Sequence, residues 1–321
     1  MPVSNSLISI ITPTFQAGAT LAETLESVVI QQDSDQQGEV EHFLIDAVSS
    51  DGTLEIAARF PHLKVISERD CGIYDGMNKG ARLAQGDWLL FLQADDWLPD
   101  GTLEVYITAI RDHPDADIIC GGAEAQRRDS GIWKTVWTVN DEVSKKLTLE
   151  NIALREPMIN ARLIRRDCFL KLGGFSLEYS LASDRDFLLR AAREGVLQVE
   201  IPAMTYRYRW HAGSRTMTTG NALSNRLSAE NLAIAKNHLS DVGLIQKKVL
   251  IKWHSRLTVQ AAMNALETPG LKGLLPAIIE GSRKNPFWVL NFILEIALKL
   301  PGFLLRGGKS RSALIREKKQ S

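Results

Sequence analysis

The stretch WLLFLQADDWL, Trp88 to Leu98, is apolar for five residues and then turns acidic at Asp95 and Asp96. A short run of this bulk predicts a strand buried on both faces. In open α/β sheets, ligands bind at the carboxyl ends of the strands, which is where this strand carries its two carboxylates. Two readings fit the pair. A hard divalent cation with oxygen ligands would screen their repulsion, or they cap the helix that DDWLPDGTLE introduces.

The neighbouring segments set the context. LISIITPT, EHFLID, LKVIS and ADIICGGA read as further strands. ATLAETLESVVIQ, TLEIAARF, GIYDGMNKGARLAQ and PDGTLEVYITAIRDHP read as the helices between them. Strands separated by single helices imply βαβ crossovers and a mostly parallel sheet flanked by helices. Beyond residue 123, RRDSGIWKTVWTVND predicts a hairpin, LIRRDCFLKLGGF a helix ending at Gly173-Gly174, SDRDFLLRAAREG a helix, and VEIPAMTYRYRW a strand. Composition changes near residue 220. The expected division is a catalytic domain over 1–220 and a helical extension over 221–321, a membrane-surface or oligomerisation element.

Bulk properties exclude several classes. The 321 residues are 45% hydrophobic and 24% charged with zero formal net charge, so no global field favours nucleic acid. Three cysteines far apart show neither metal spacing nor a disulfide framework and suit a reducing compartment. MPVSNSLISIITPTF lacks a basic region and a long apolar run, so a signal peptide is not expected.

Other strand ends are chemically loaded. Thr12-Pro13-Thr14 closes the first strand. Asp46 closes the second, and its carboxylate directly after Phe-Leu-Ile can accept a hydrogen bond from a base or ribose. Asp51-Gly52 reads as a turn and cap. Arg69, Asp70 and Lys79 follow the third strand and face either phosphates or a surface salt-bridge network. Asp184 and Asp186, two apart, do not share a helix face; one caps, or one serves as a general base. TYRYRWHAGSRT adds His211 and arginines that can neutralise a departing diphosphate or simply decorate an exposed sheet edge.

SIITPTFQAGATLAETLESVVIQ, LIDAVSSDGT, SERDCGIYDGMNKGARLAQGDWLLFLQADD, GGF and SDRDFLLR occur in an order that resembles the family 2 glycosyltransferases of GT-A (Rossmann-like) fold. The resemblance spans about residues 6 to 215 and implies inverting transfer of one hexosyl or N-acetylhexosaminyl group from a nucleotide-sugar. It implies a UDP-sugar donor and a glycan or lipid-linked glycan acceptor in cell-envelope or exopolysaccharide synthesis. Thr12, Pro13, Thr14 and Phe15 match the loop along the nucleotide, Asp46 the base-reading carboxylate and Asp51 a second turn near it. Arg69, Asp70, Gly72, Asn78 and Lys79 match the segment beside ribose and phosphates. Gln93, Ala94 and Asp95 match the metal motif, where Asp95, with Asp96 and His211, would hold Mn2+ or Mg2+. Asp184 matches the catalytic base.

Two positions depart from the pattern: Gln93 replaces the first metal-motif Asp, and Ser183 the Glu before the base. The Gln-x-x-Arg-Trp motif of processive synthases is missing. A nucleotidyltransferase is a rival, though TPTFQAGAT lacks its basic glycine-rich loop; a non-catalytic nucleotide-sugar-binding scaffold is another. Finally, PFWVLNFILEIALKLPGFLL precedes RGGKSRSALIREKKQ, and residues 282–321 carry nine Lys/Arg against two Glu. That pattern suits either the surface of an anionic membrane or a helix packed on the domain with a solvated tail. The expected location is cytoplasmic, peripheral on the inner face of the cell membrane.

Overall fold

The computed structural model describes residues 8–31, 40–155, 159–211, 221–239 and 243–266. The apolar segment 286–305 and the basic tail lie outside them. The chain divides into two compact units, Met1–Leu223 and Ser224–Ser321.

The first unit begins β1 (Ile8–Thr14), α1 (Leu21–Val29), β2 (Val40–Asp46), α2 (Thr53–Ala57), β3 (Leu63–Ser67), α3 (Ile73–Leu83), β4 (Trp88–Phe91) and α4 (Thr102–Asp112). There follow β5 (Ile118–Asp129), β6 (Ile132–Val139), α5 (Glu142–Lys145), α6 (Leu149–Leu154), β7 (Arg162–Arg165), α7 (Arg166–Lys171), α8 (Ser183–Arg193) and β8 (Gln198–Arg209). Two helices, α9 (Asn221–His238) and α10 (Leu244–Leu266), complete the described chain. The sheet runs β3-β2-β1-β4-β7-β5-β6, with β8 also paired to β5. The β3, β2, β1 and β4 strands are mutually parallel, as the βαβ pattern predicts.

Every residue of β1 and β4 is buried, so these strands read as unbroken apolar runs rather than alternating ones. Helix α3 lies unusually close to them. A Cβ on Gly80 would sit 2.5 Å from Cγ2 of Ile11, so only glycine fits there. The expected hairpin over residues 127–141 forms from β5 and β6 around Ser130-Gly131, both at positive φ.

One expected element is corrected. LIRRDCFLKLGGF is not a single helix: Arg162–Arg165 is a strand, antiparallel to both β4 and β5, and the helix starts at Arg166. Leu163 and Ile164 are fully buried between the two neighbours. The flanking arginines obscure this in sequence because both are held along the sheet. Arg165 reaches the carbonyls of Pro114 and Ala116, and Arg162 reaches Gln198 Oε1 and the Lys145 carbonyl.

Two buried polar groups of the core show opposite solutions. Glu41 accepts from Ser9 Oγ, Lys64 Nζ and the amides of Gln85 and Gly86. Burial alone would raise its carboxyl, but these four donors outweigh it and hold the group below its ordinary value. His42 is the opposite case. Burial, reinforced by the nearby imidazole of His62, pushes it down from 6.5 to about 3. Below pH 6.5 the unfolded chain therefore takes a proton that the folded chain refuses. Stability is lost as pH falls from 6.5 towards 3, at about 1.4 kcal/mol per pH unit for one group. Urea unfolding between pH 7 and pH 4 should show a slope in the wild type that His42→Gln lowers by about one proton; identical slopes would refute this.

Candidate active site

The first two strand ends are stitched together. The Ala47 amide donates to the Thr14 carbonyl, and the amides of Gln16, Ala17 and Gly18 donate to Ser49 Oγ, Thr53 Oγ1 and Asp51 Oδ2. Gln16 and Val48 take positive φ to make these loops meet. Asp51 also accepts from Thr53 Oγ1 and N. The hydrogen bond from the Thr53 side chain, then that from the Gly18 amide, hold its carboxyl below the usual range. Asp51 is thus the staple between the loops. Phe15 stands 63% exposed beside them.

Asp46 ends β2 fully buried. Its Oδ2 accepts from the Ser49 amide at 3.0 Å and Ser67 Oγ at 2.6 Å, whereas Oδ1 is buried with no protein partner. A buried acceptor left open is costly unless something completes it. Thr12, by contrast, turns into the core, where Oγ1 meets His42 Nε2 at 2.9 Å. Its side chain is therefore spent on the fold, and only its backbone is left for the loop expected along a nucleotide. Pro13 packs towards Gly76 of α3.

Around the start of α3, Asp70 accepts from the Gly72 amide and Asp75 from the Cys71 amide. Gly72, at φ 121°, is the cap residue that redirects the chain. Arg69 is exposed, and its guanidinium makes no hydrogen bond or ion pair among the described residues. Lys79 pairs with Glu68 at 2.8 Å, the salt-bridge alternative raised by the sequence. Asn78 is corrected outright. Its Nδ2 donates to the Phe175 carbonyl at 2.8 Å, and its Oδ1 accepts from the Phe175 amide at 2.9 Å. Both ends of the amide are consumed holding the Gly173-Gly174-Phe175 turn, so Asn78 shapes the site without facing a phosphate.

The acidic turn after β4 separates its two carboxylates. Asp95 has a side chain 38% exposed and meets His211 Nε2 at 3.0 Å. Asp96 is 4% exposed; its Oδ2 accepts from Tyr206 Oη at 2.7 Å and its Oδ1 from the Arg209 amide at 2.8 Å. Burial first, and the charge of Asp95 second, raise its carboxyl well above the ordinary range. Asp96 is therefore corrected from expected metal ligand to a group built into the protein. The Ala94 carbonyl accepts from Thr20 and Thr24, and Gln93 is half-buried with its amide on Tyr206 Oη at 3.1 Å. Arg209 is committed too: it binds the Asp95 carbonyl and Glu23 and lies 4.9 and 5.0 Å from the ring centroids of Trp97 and Trp133.

Asp184 sits in the first turn of α8. Its Oδ1 accepts from the Arg185 amide at 2.8 Å and lies 3.2 Å from Tyr74 Oη. Burial raises its carboxyl despite these bonds. Ser183 donates to the Ser176 carbonyl at 2.7 Å, and Asp186 pairs with Arg190, which also holds the Gly174 carbonyl. The helix is seated on the cluster of Phe91, Phe169, Phe175 and Phe187. Tyr208, whose phenol is raised by burial, feels both Asp96 and Asp184. Phe91, just before the acidic turn, lies 5.2 Å from Phe175, and Phe175 lies 5.5 Å from Phe187 of α8 between ring centroids, so the turn and the half-buried Asp184 are carried by one aromatic cluster. Tyr74 and Tyr208 fall inside the quoted segments, but nothing in the sequence gives either a role; each becomes part of the site only through long-range packing.

A mostly parallel sheet with an open carboxylate and an acidic turn at its strand ends, and a half-buried, raised carboxylate in the first turn of α8, is the arrangement of a GT-A glycosyltransferase. Residues 9–176 match the model of Glycosyl transferase family 2, and the chain belongs to that family. It is 34% identical over 208 residues to a PGL/p-HBAD biosynthesis glycosyltransferase of Mycobacterium bovis, covering 63% of this chain and 73% of that one. It is 30% identical over 191 residues to an uncharacterized glycosyltransferase of Haemophilus influenzae, covering 59% of this chain and 63% of the other. Staphylococcus aureus TarS has the same fold at TM-score 0.64 and 19% identity, over 88% of this chain and 81% of that one. A mannosyltransferase from Pyrobaculum calidifontis, solved with GDP-Man and Mn2+, aligns at TM-score 0.56 and 16% identity, over 91% and 86% of the two chains.

Proposed function

We propose that this glycosyltransferase is inverting and adds one sugar per encounter, from a UDP-sugar to a hydroxyl of a glycan or lipid-linked glycan in cell-envelope or exopolysaccharide synthesis. The observation that carries the reading is the packing of Phe91, Phe175 and Phe187, which joins the end of β4, and so the acidic turn after it, to the helix whose first turn carries Asp184. Asp184 takes the proton of the acceptor hydroxyl. The acceptor oxygen then bonds to the anomeric carbon as that carbon's bond to the diphosphate breaks on the opposite face. No covalent enzyme intermediate forms.

The donor set suits a divalent cation. Among the described residues there is no group of three or more His, Cys, Asp or Glu that could hold a metal. A cation bound largely by diphosphate oxygens and water needs only one or two protein ligands, however, and Asp95 with His211 supplies that number. Bound there, Mn2+ or Mg2+ would act as a Lewis acid on the departing diphosphate. Arg69 is the cation at the third strand end whose charge is unpaired among the described residues. The open Oδ1 of Asp46 supports its role on a base, as an acceptor for an N–H such as that of uracil. TarS has been solved with UDP-GlcNAc.

A thermal-shift screen of UDP-, GDP- and dTDP-sugars, with and without Mn2+, tests the donor assignment. UDP-sugars should raise the melting temperature, and more so with Mn2+. A shift with GDP-sugars alone would overturn the uracil reading. The membrane expectation remains a proposal resting on the charge and apolarity of residues 282–321; no helix among the described residues is long and apolar enough to span a bilayer. Deletion of residues 282–321 should release the protein from anionic liposomes in a flotation assay, and undiminished flotation would refute the anchor.

A further inference from the structure

The segment from Gln93 to Trp97 lies between the end of β4 and the start of α4, and most of its bonds are not its own. The Gln93 amide donates to Tyr206 Oη at 3.1 Å, and the same hydroxyl donates to Asp96 Oδ2 at 2.7 Å. The Arg209 amide donates to Asp96 Oδ1 at 2.8 Å, and Arg209 Nε to the Asp95 carbonyl at 2.8 Å. Trp97 and Arg207 exchange backbone bonds of 3.1 and 3.0 Å as an isolated antiparallel bridge. Every one of these partners lies in the last four residues of β8. Two residues after Arg209, the same chain delivers His211 to Asp95.

We infer that Tyr206 and Asp96 are positioning residues: together they clamp the acidic turn to the end of β8 and so hold Asp95 opposite His211. The inference rests on the proposed role of that pair in donor binding. Tyr206 is fully buried and Asp96 nearly so, and the phenol uses its proton and a lone pair on two parts of one turn. A satisfied buried network of this kind fixes one geometry, because any shift strands a polar group in the core. The clamp also gives the neutral Gln93 a place in the site. The turn is held through the Gln93 backbone, so its side chain need not carry charge for the turn to keep its shape.

The test uses the full chain and three variants, Tyr206→Phe, Asp96→Ala and Asp96→Asn, with Asp95→Ala alongside. Asp96→Asn keeps a bond at each contact, because the phenol oxygen can accept from both the Gln93 amide and the new side-chain amide. Calorimetric binding of UDP with Mn2+ should weaken about tenfold or more in Tyr206→Phe and Asp96→Ala and stay within about threefold in Asp96→Asn. Hydrogen exchange in the peptide covering residues 92–98 should quicken in Tyr206→Phe while the strands of the sheet keep their protection. A merely structural contact would lower the melting temperature and leave binding by the folded protein unchanged. Wild-type binding and exchange in Tyr206→Phe would overturn the clamp. So would Asp96→Asn binding as weakly as Asp95→Ala, which would make Asp96 a ligand. Should Tyr206→Phe not melt cooperatively, equal binding by Asp96→Asn and Asp96→Ala would overturn it. Binding that survives Asp95→Ala would count against the proposed function instead, and the exchange measurement still reports on the clamp.

Discussion

Asp184→Asn lowers the rate of transfer about a thousandfold while donor binding stays within about threefold of wild type. The amide preserves the shape of the side chain and can still accept from the Arg185 amide, so the start of α8 survives. What it loses is basicity. A carboxylate whose affinity for protons is raised by burial accepts the acceptor's proton more readily than an exposed one. The same environment sets the pH dependence. Only the ionised form acts as base, so the acid limb of the rate profile should lie above the ordinary carboxylate value, and activity should fall as pH drops through it. Tyr74 donates to the ionised form and opposes the shift, so Tyr74→Phe should move that limb to higher pH. Single-turnover rates at saturating donor, measured across pH, separate these effects from binding. Transfer by Asp184→Asn within about tenfold of wild type would remove Asp184 as the base.

Much of the scaffold was legible because its signals are local. The buried runs of β1 and β4 and the turn after Asp46 follow from periodicity and from the residues that break it. The β7 strand was not legible: its apolar pair, Leu163 and Ile164, is too short to carry a period, and its arginines are spoken for by the carbonyls of Pro114 and Ala116 and by Gln198. The site divides in the same way. Asp46 and Asp184 are recognisable as charge at the edge of apolar segments. Asn78, Thr12 and Asp96 are polar positions of the same motifs, yet each is consumed by a partner at least 30 residues away in sequence. Motif position says which residues stand near a ligand. It does not say which of them have already spent their hydrogen bonds on the fold, and that distinction moved Asp96 from the metal to the clamp.

Asp95→Ala should weaken Mn2+-dependent binding of UDP roughly 100-fold and slow transfer by at least as much. The metal motif that the sequence resembles carries two carboxylates, and in this chain Asp96 adds one beside it. Here one position is the neutral Gln93, and the carboxylate of Asp96 is buried with both oxygens occupied. Asp95 is the one acidic side chain of the turn with solvent exposure, and His211 is its neighbour. A hard cation gains more from a carboxylate than from an imidazole. His211→Ala should therefore cost less, about tenfold. Half-exposure of the Asp95 side chain means that its removal leaves no cavity and no stranded partner in the core, so the melting temperature of the ligand-free protein should hardly change. Chelation supplies the matching control: EDTA should reduce wild-type UDP affinity to the level of Asp95→Ala and leave the variant where it was. Calorimetry with and without Mn2+ reads both arms. Equal Mn2+ dependence in wild type and variant would place the cation elsewhere, and with it the assignment of Asp95 and His211 as its protein ligands would fail.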